Sequence, residues 1–275
     1  MRAILVLCSL LLTSLAPVRA AAALPDGCGP VADPQQIART AHIILLGEMH
    51  GTREYPALAA RLACAALDDG RAVTLALEMP QEEQARLAAY AASSGDDEAS
   101  AALTAGSWFW NKVRDGRASG AMLMLVEQAR RWRAQGKPVS IIAIDKPRGA
   151  PGTRDEHMAA RVRSAAQAAP RGLVIALTGN MHNRLTSFEQ PGHPVAIDTP
   201  MGMLLRDLAP LSLGDLAGRG EFFGCMPDCR VHGSEQRGAA LAVPVITAAR
   251  APGPYTHTVA LGATSASLPA LDALR

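Results

Sequence analysis

The chain has 275 residues, 49% apolar and only 4% aromatic, so its core must be built from Ala, Leu, Val and Ile. That composition suits helices packed on a sheet and argues against an aromatic-rich all-β protein. With 27 basic and 25 acidic residues the formal charge is +2, so no basic field marks a nucleic-acid or anionic-lipid partner.

Residues 1–20 read as a signal peptide. Arg2 is followed by the apolar run AILVLCSLLLTSLA and by VRA ending at Ala20, the three zones such a leader needs. The run is short for a membrane span and no second candidate follows, so no membrane span is expected. A secreted or periplasmic product results, with residues 21–40 as a lead-in and 41–270 as a single α/β domain. Removal of Arg2 and Arg19 leaves 25 basic residues against 25 acidic ones. Four cysteines remain, Cys28, Cys64, Cys225 and Cys229, and an oxidising compartment favours disulfides. The Pro-Asp turn inside CMPDC lets Cys225 and Cys229 close a small loop, leaving Cys28 with Cys64. A CxxxC metal or redox site is the rival reading of the same spacing.

Past the leader, strand and helix periods alternate. HIILLGE, residues 42–48, is a continuous apolar run of the kind buried on both faces of a sheet. Helical spacing follows over 54–69, then a strand in AVTLALEMP ended by Pro80, a helix over 81–92 with acids in its first turn, and a solvated loop in SSGDDEAS. A strong helix spans about 120–135, VSIIAID is the next strand, and KPRGAPGT connects it to a helix over 154–169 and to the strand LVIALTG. The later part is less regular, with a short strand in HPVAID, a short helix in MGMLLRDL and a last strand in YTHTVALGA. Such alternation predicts one α/β fold with a mostly parallel central sheet flanked by helices.

In open parallel sheets, ligands sit outside the carboxyl ends of the strands. Four strands end there in polar residues: Glu48 and His50 after the first, Glu78 in the second, Asp145 in the third, His182 after the fourth. A carboxylate at the end of a buried run is unfavourable unless paired, which marks Glu48 and Glu78 as site residues. His50 and His182 share the pattern Gly-x-x-His, GEMH and GNMH, whose glycine lets the chain turn as the strand ends. Arg154 is suited to hold a carboxylate or phosphate, whereas Asp155 reads as a helix-dipole partner. Arg53 and Arg61 are further candidates, and Trp108, Phe109 and Trp110 read as core or pocket wall. There is no GxSxG, GxGxxG, P-loop or HExxH, so what remains is carboxylate and imidazole chemistry, by general base or on a metal.

LLGEMHGTREY, LALEMP, TRDEHMA and TGNMHN, in this order, resemble the superfamily that joins erythromycin esterase-like proteins, the TraB/Tiki group and the ChaN-like haem-binding proteins. Overall length, the FWNKVRDGRAS region and DTPMG are most similar to the ChaN-like branch, whose members are often exported. The resemblance implies an α/β fold with both Gly-x-x-His blocks facing one cleft. It also implies a catalytic set of Glu48, His50, Glu78 and His182, supported by Arg154. The chain departs from it in having GEMH where the esterase branch has Gly-Glu-x-x-His. Two expectations follow. One is a hydrolase-like enzyme acting on a small-molecule or peptide substrate, with or without a divalent metal held by His50, His182 and Glu48. The alternative is a haem- or iron-binding protein of haem uptake, for which the branch implies a tyrosine ligand and for which Tyr55 and Tyr90 are the early tyrosines.

Overall fold

Four apolar runs of the sequence become four adjacent parallel strands in the computed structural model, which describes residues 34–189, 196–214, 220–233, 241 and 243–273. They are β1 (Ile43–Glu48), β2 (Val73–Pro80), β3 (Val139–Asp145) and β4 (Leu173–Gly179). The sheet is completed by β5 (Leu211–Gly214), β8 (Val245–Ala248) and β9 (His257–Ala260), in the order β3-β2-β4-β1-β5-β9-β8. Every neighbouring pair is parallel except β8 with β9. A separate antiparallel hairpin is formed by β6 (Glu221–Cys225) and β7 (Cys229–Gly233). The expected α/β architecture is therefore the observed one.

The continuous apolar runs have a simple cause: helices cover both faces of the sheet. Along β1, Ile44 and Leu46 face the larger core, shared with Leu58 and Leu62 of helix Glu54–Asp68 and with Leu125 and Val126 of helix Gly120–Ala134. Ile43 and Leu45 face the second core, with Met158 and Val162 of helix Arg154–Ala168. Each fully buried Leu or Ile contributes about 1.5–3 kcal/mol by leaving water. Phe109 and Trp110 lie in the larger core, while Trp108 is exposed and stacks under the Arg148 guanidinium at 5.2 Å.

Three sequence expectations change. SSGDDEAS is not a loop throughout, because Asp96 accepts the Ala99 N–H and caps a helix over Asp97–Thr104. HPVAID lies partly outside the described residues, and its described end makes one bridge, Ile197 with Phe188. The strands β5, β6, β7 and β8 were not expected. Each has only four or five residues, too few for a hydrophobic period to show.

Residues 1–20 and Cys28 lie outside the described residues. Cys225 and Cys229 form the expected disulfide, S–S 2.00 Å, across the hairpin's last pair. Cys64 is disulfide-bonded as well. No helix among the described residues is long and apolar enough to cross a membrane.

Candidate active site

Because β1 to β4 run parallel, their carboxyl ends share one edge. The register sets Glu48 beside Gly179, so the two Gly-x-x-His segments leave the sheet as neighbours. Their glycines are needed for that closeness. A Cβ on Gly47 would lie 2.9 Å from the Asn180 Cα, and one on Gly179 would lie 3.0 Å from the His50 Nε2. Each motif's glycine thus clears space for the other motif.

Both histidines are held in the same way. Glu48 Oε1 lies 2.7 Å from His50 Nδ1, and Asp155 Oδ1 lies 2.9 Å from His182 Nδ1. An ionised carboxylate can only accept, so each Nδ1 carries the proton and each Nε2 is turned outward. Both outward nitrogens face one residue. His50 Nε2 is 3.5 Å from Glu78 Oε2, and His182 Nε2 is 3.9 Å from Glu78 Oε1. Those distances are longer than hydrogen bonds, so Glu78 does not seal either nitrogen.

Glu78 is 2% exposed and is kept ionised by donors. It accepts the Gly179 N–H at 2.7 Å and the Arg154 Nη2, and Arg117 Nη1 stands 3.5 Å away. Burial pushes its pKa upward, but the charges of His50, His182, Arg154 and Arg117 together hold it well below the usual carboxylate range. Glu48 goes the other way: burial raises it, only partly offset by the His50 hydrogen bond. For His50, burial works downward, and the Glu78 charge with the Glu48 hydrogen bond outweighs it, so the imidazole lies above its ordinary value.

Asp145, at the end of β3, is gripped by two guanidinium groups. Arg154 donates from Nε and Nη2, both at 2.8 Å, and Arg117 Nη1 donates at 2.8 Å. Arg154 sits where expected because Thr153 starts its helix with a capping box to Glu156. Asp155 lies in the first turn of its helix, as the helix-dipole reading expects, and also bridges His182 and the Met201 N–H. Arg117, in the loop after Val113, was not singled out at all. The only signal for it was its place in the FWNKVRDGRAS block. Arg53 lies outside this constellation: its Nε donates to the Ala266 carbonyl.

The structure thus brings Glu48, His50, Glu78, His182, Asp145 and Arg154 to one place and adds Asp155 and Arg117. Metal and haem fit this arrangement poorly. Among the described residues no group of three or more His, Cys, Asp or Glu side chains is placed to hold a metal ion. Glu48 lies behind His50, on Nδ1, rather than with the two Nε2 atoms. A phenolate ligand for haem is not offered either. Tyr55, Tyr90 and Tyr255 are all buried, and the hydroxyls of Tyr90 and Tyr255 donate to Glu127 and to the Asn180 carbonyl.

No family model and no curated protein matches the chain. Solved structures do match in fold. A structural-genomics target from Bacillus cereus aligns over 89% of this chain and 95% of its own, at 12% identity and a TM-score of 0.52. A succinoglycan biosynthesis protein covers 85% and 91% at 10% identity, TM-score 0.50. An erythromycin esterase mutant in its open conformation covers 86% and 78% at 13% identity, TM-score 0.48. At such identities the likeness is one of fold alone.

Proposed function

We propose that the chain is an exported hydrolase-like enzyme that activates water with His50 and splits an uncharged ester or amide. One observation carries the reading: two imidazoles, each braced at Nδ1 by a carboxylate, present Nε2 to the same buried Glu78. A braced imidazole with a free Nε2 is the arrangement of a general base or acid. His50, the more exposed of the two, takes the proton from water. His182 gives an Nε2 proton to the leaving group, and the cycle closes when His50 releases the proton taken from water and His182 regains one from solvent. Glu78, fixed as an anion between them, stabilises whichever ring is protonated. Arg154, 40% exposed at its side chain, is placed to stabilise the developing oxyanion.

The charge balance supports a neutral substrate. Glu48, Glu78, Asp115, Asp145 and Asp155 surround only two guanidinium groups, Arg117 and Arg154. Protonation of one imidazole still leaves an acidic cluster, which disfavours phosphate and carboxylate substrates.

The test is hydrolysis of a panel of uncharged esters and peptides by the purified mature protein, with and without a chelator. Turnover that is insensitive to chelator and lost in H50A and H182A is expected. Turnover that survives both substitutions, or no turnover across the panel, overturns the reading. The pH profile carries a sign. Water activation needs neutral His50, whose folded pKa lies above the ordinary imidazole value. Activity therefore rises with pH through a limb displaced to the alkaline side of 6.5, a displacement checked by kcat/KM against pH.

The brace on His182 gives a separate expectation. Asp155→Asn keeps the size of the side chain and weakens its hold on Nδ1–H. A fall in kcat of about 10–100-fold is expected, as for partners that orient a functional histidine, with KM little changed. Full activity in D155N would show that Asp155 serves only the Met201 end.

A further inference from the structure

Two arginines meet at Asp145 and Glu78, but their guanidinium groups are not used alike. Arg117 has its whole fork engaged. Nε and Nη2 donate to Asp115, at 3.0 and 2.8 Å to Oδ2, and Nη1 donates to Asp145 at 2.8 Å while facing Glu78. Arg154 engages only Nε and Nη2, and no described residue accepts from its Nη1. The side chains are 15% and 40% exposed respectively.

The turn that carries Arg117 also touches the histidine loop. Gly116 has φ +97, and a Cβ there would lie 2.6 Å from the Gly51 nitrogen and 2.7 Å from the His50 carbonyl carbon. Gly51, at φ +71, is in turn closed in by the Phe223 carbonyl, 1.9 Å from where its Cβ would be. Phe223 N–H donates to the Gly51 carbonyl at 2.9 Å. Three backbones interlock at two glycines, so the Asp115–Arg117 turn and the His50 main chain cannot move independently.

We propose that Arg117 is a positioning residue, whose turn fixes the Glu78 carboxylate relative to the His50 ring while Arg154 alone keeps a donor for substrate. The proposal rests on the reading of His50 and Glu78 as the reacting pair. Arg117 links the two because it sits one residue from the His50 contact and binds the Asp145–Glu78 acid pair with its head group. Loss of the fork frees Glu78 to shift towards Arg154 and away from His50 Nε2. A displacement of about 1 Å at a reacting centre is enough to lower turnover on the order of 100-fold.

The experiment compares wild type, R117A, R117K and D115N in steady-state kinetics, and follows the histidine ring signals of each by NMR. R117A is expected to lower kcat about tenfold or more, with KM within about twofold of wild type. Added methylguanidinium restores part of kcat, whereas R117K, with a charge but no fork, does not recover it. D115N, which keeps Arg117 and loosens its anchor, moves kcat the same way by less, and stands in for R117A should that variant not fold. The His50 ring signals shift in R117A, while those of His42, at the opposite end of β1, stay. Unchanged kcat, a loss confined to KM, or unmoved His50 signals in the folded variant overturns the proposal. The ring signals decide without any substrate. If H50A is inactive and R117A is not impaired, only this inference fails. If H50A retains activity, the hydrolase reading itself fails.

Discussion

Replacing His50 with alanine is expected to lower kcat/KM for an uncharged ester by about 10²–10⁴-fold, roughly 3–5 kcal/mol of barrier. The size follows from what the ring does. It is the most exposed imidazole of the pair, its Nδ1 is committed to Glu48, and its Nε2 stands free over Glu78. Alanine removes the proton acceptor and also the partner that keeps the buried Glu48 anionic. With the imidazole gone, Glu48 loses the hydrogen bond and the charge that offset its burial, so its pKa rises further and the buried carboxylate is more readily neutralised. The variant is therefore not expected to unfold, because Glu48 escapes the penalty of an unpaired buried charge by neutralising. H182A falls by a similar factor. The double variant is hardly worse than either single one, since residues that act as one unit lose their joint contribution once. Equal losses that multiply in the double variant would show two independent sites, and activity within about threefold of wild type in H50A would remove His50 from the chemistry.

The positions of the site residues were legible in the sequence where strand ends announced themselves. Glu48, Glu78, Asp145 and the His182 segment each close a run of apolar residues, and parallel strands must bring such ends to one edge. The repeated Gly-x-x-His was legible for a reason visible only in the structure: Gly47 and Gly179 each make room for the other motif. The site role of Asp155 was missed because a first-turn acid has a sufficient local explanation in the helix dipole. Its partner, His182, is 27 residues away, and no local pattern joins them. Arg117 left no local trace either, since an arginine in a polar loop is ordinarily a solvated one. The short strands β5 to β8 were missed for want of length. The hairpin they include closes over the His50 loop through Phe223, so part of the site's framework was hidden with them. Helices were read more accurately than these strands, because 15-residue segments such as Glu54–Asp68 and Gly120–Ala134 carry several turns of periodic burial. The error over residues 97–104 was one of capping chemistry, where acidic residues beginning a helix resembled a solvated loop.

Glu78→Gln is expected to be the most destabilising single change at the site. Its carboxylate is buried, accepts the Gly179 N–H, and neutralises Arg154 within a cluster that also holds Arg117 and both imidazoles. Glutamine preserves the shape but not the charge, and its amide N–H₂ faces groups that are themselves donors. Breaking a fully buried pair by neutralising one member removes about 3–5 kcal/mol. Because Arg154 is partly open to solvent, a loss of roughly 2–4 kcal/mol is expected at neutral pH. For a domain of this size that lowers Tm by roughly 4–16 °C. The pH dependence distinguishes this cause from simple repacking. The folded pKa of Glu78 is depressed, so its contribution is fully present above the unfolded carboxylate value and is lost as pH falls through the folded one. The gap between wild type and E78Q therefore widens as pH falls from 7 to about 5, because the Glu78 charge favours protonated His50, and narrows only below about 4.3, where the unfolded chain binds the carboxyl proton first. Urea unfolding of both proteins across that range is the measurement. Equal stability at neutral pH, or a gap as wide at pH 3 as at pH 5, would mean that charge at Glu78 is not what holds the two histidines and two arginines together.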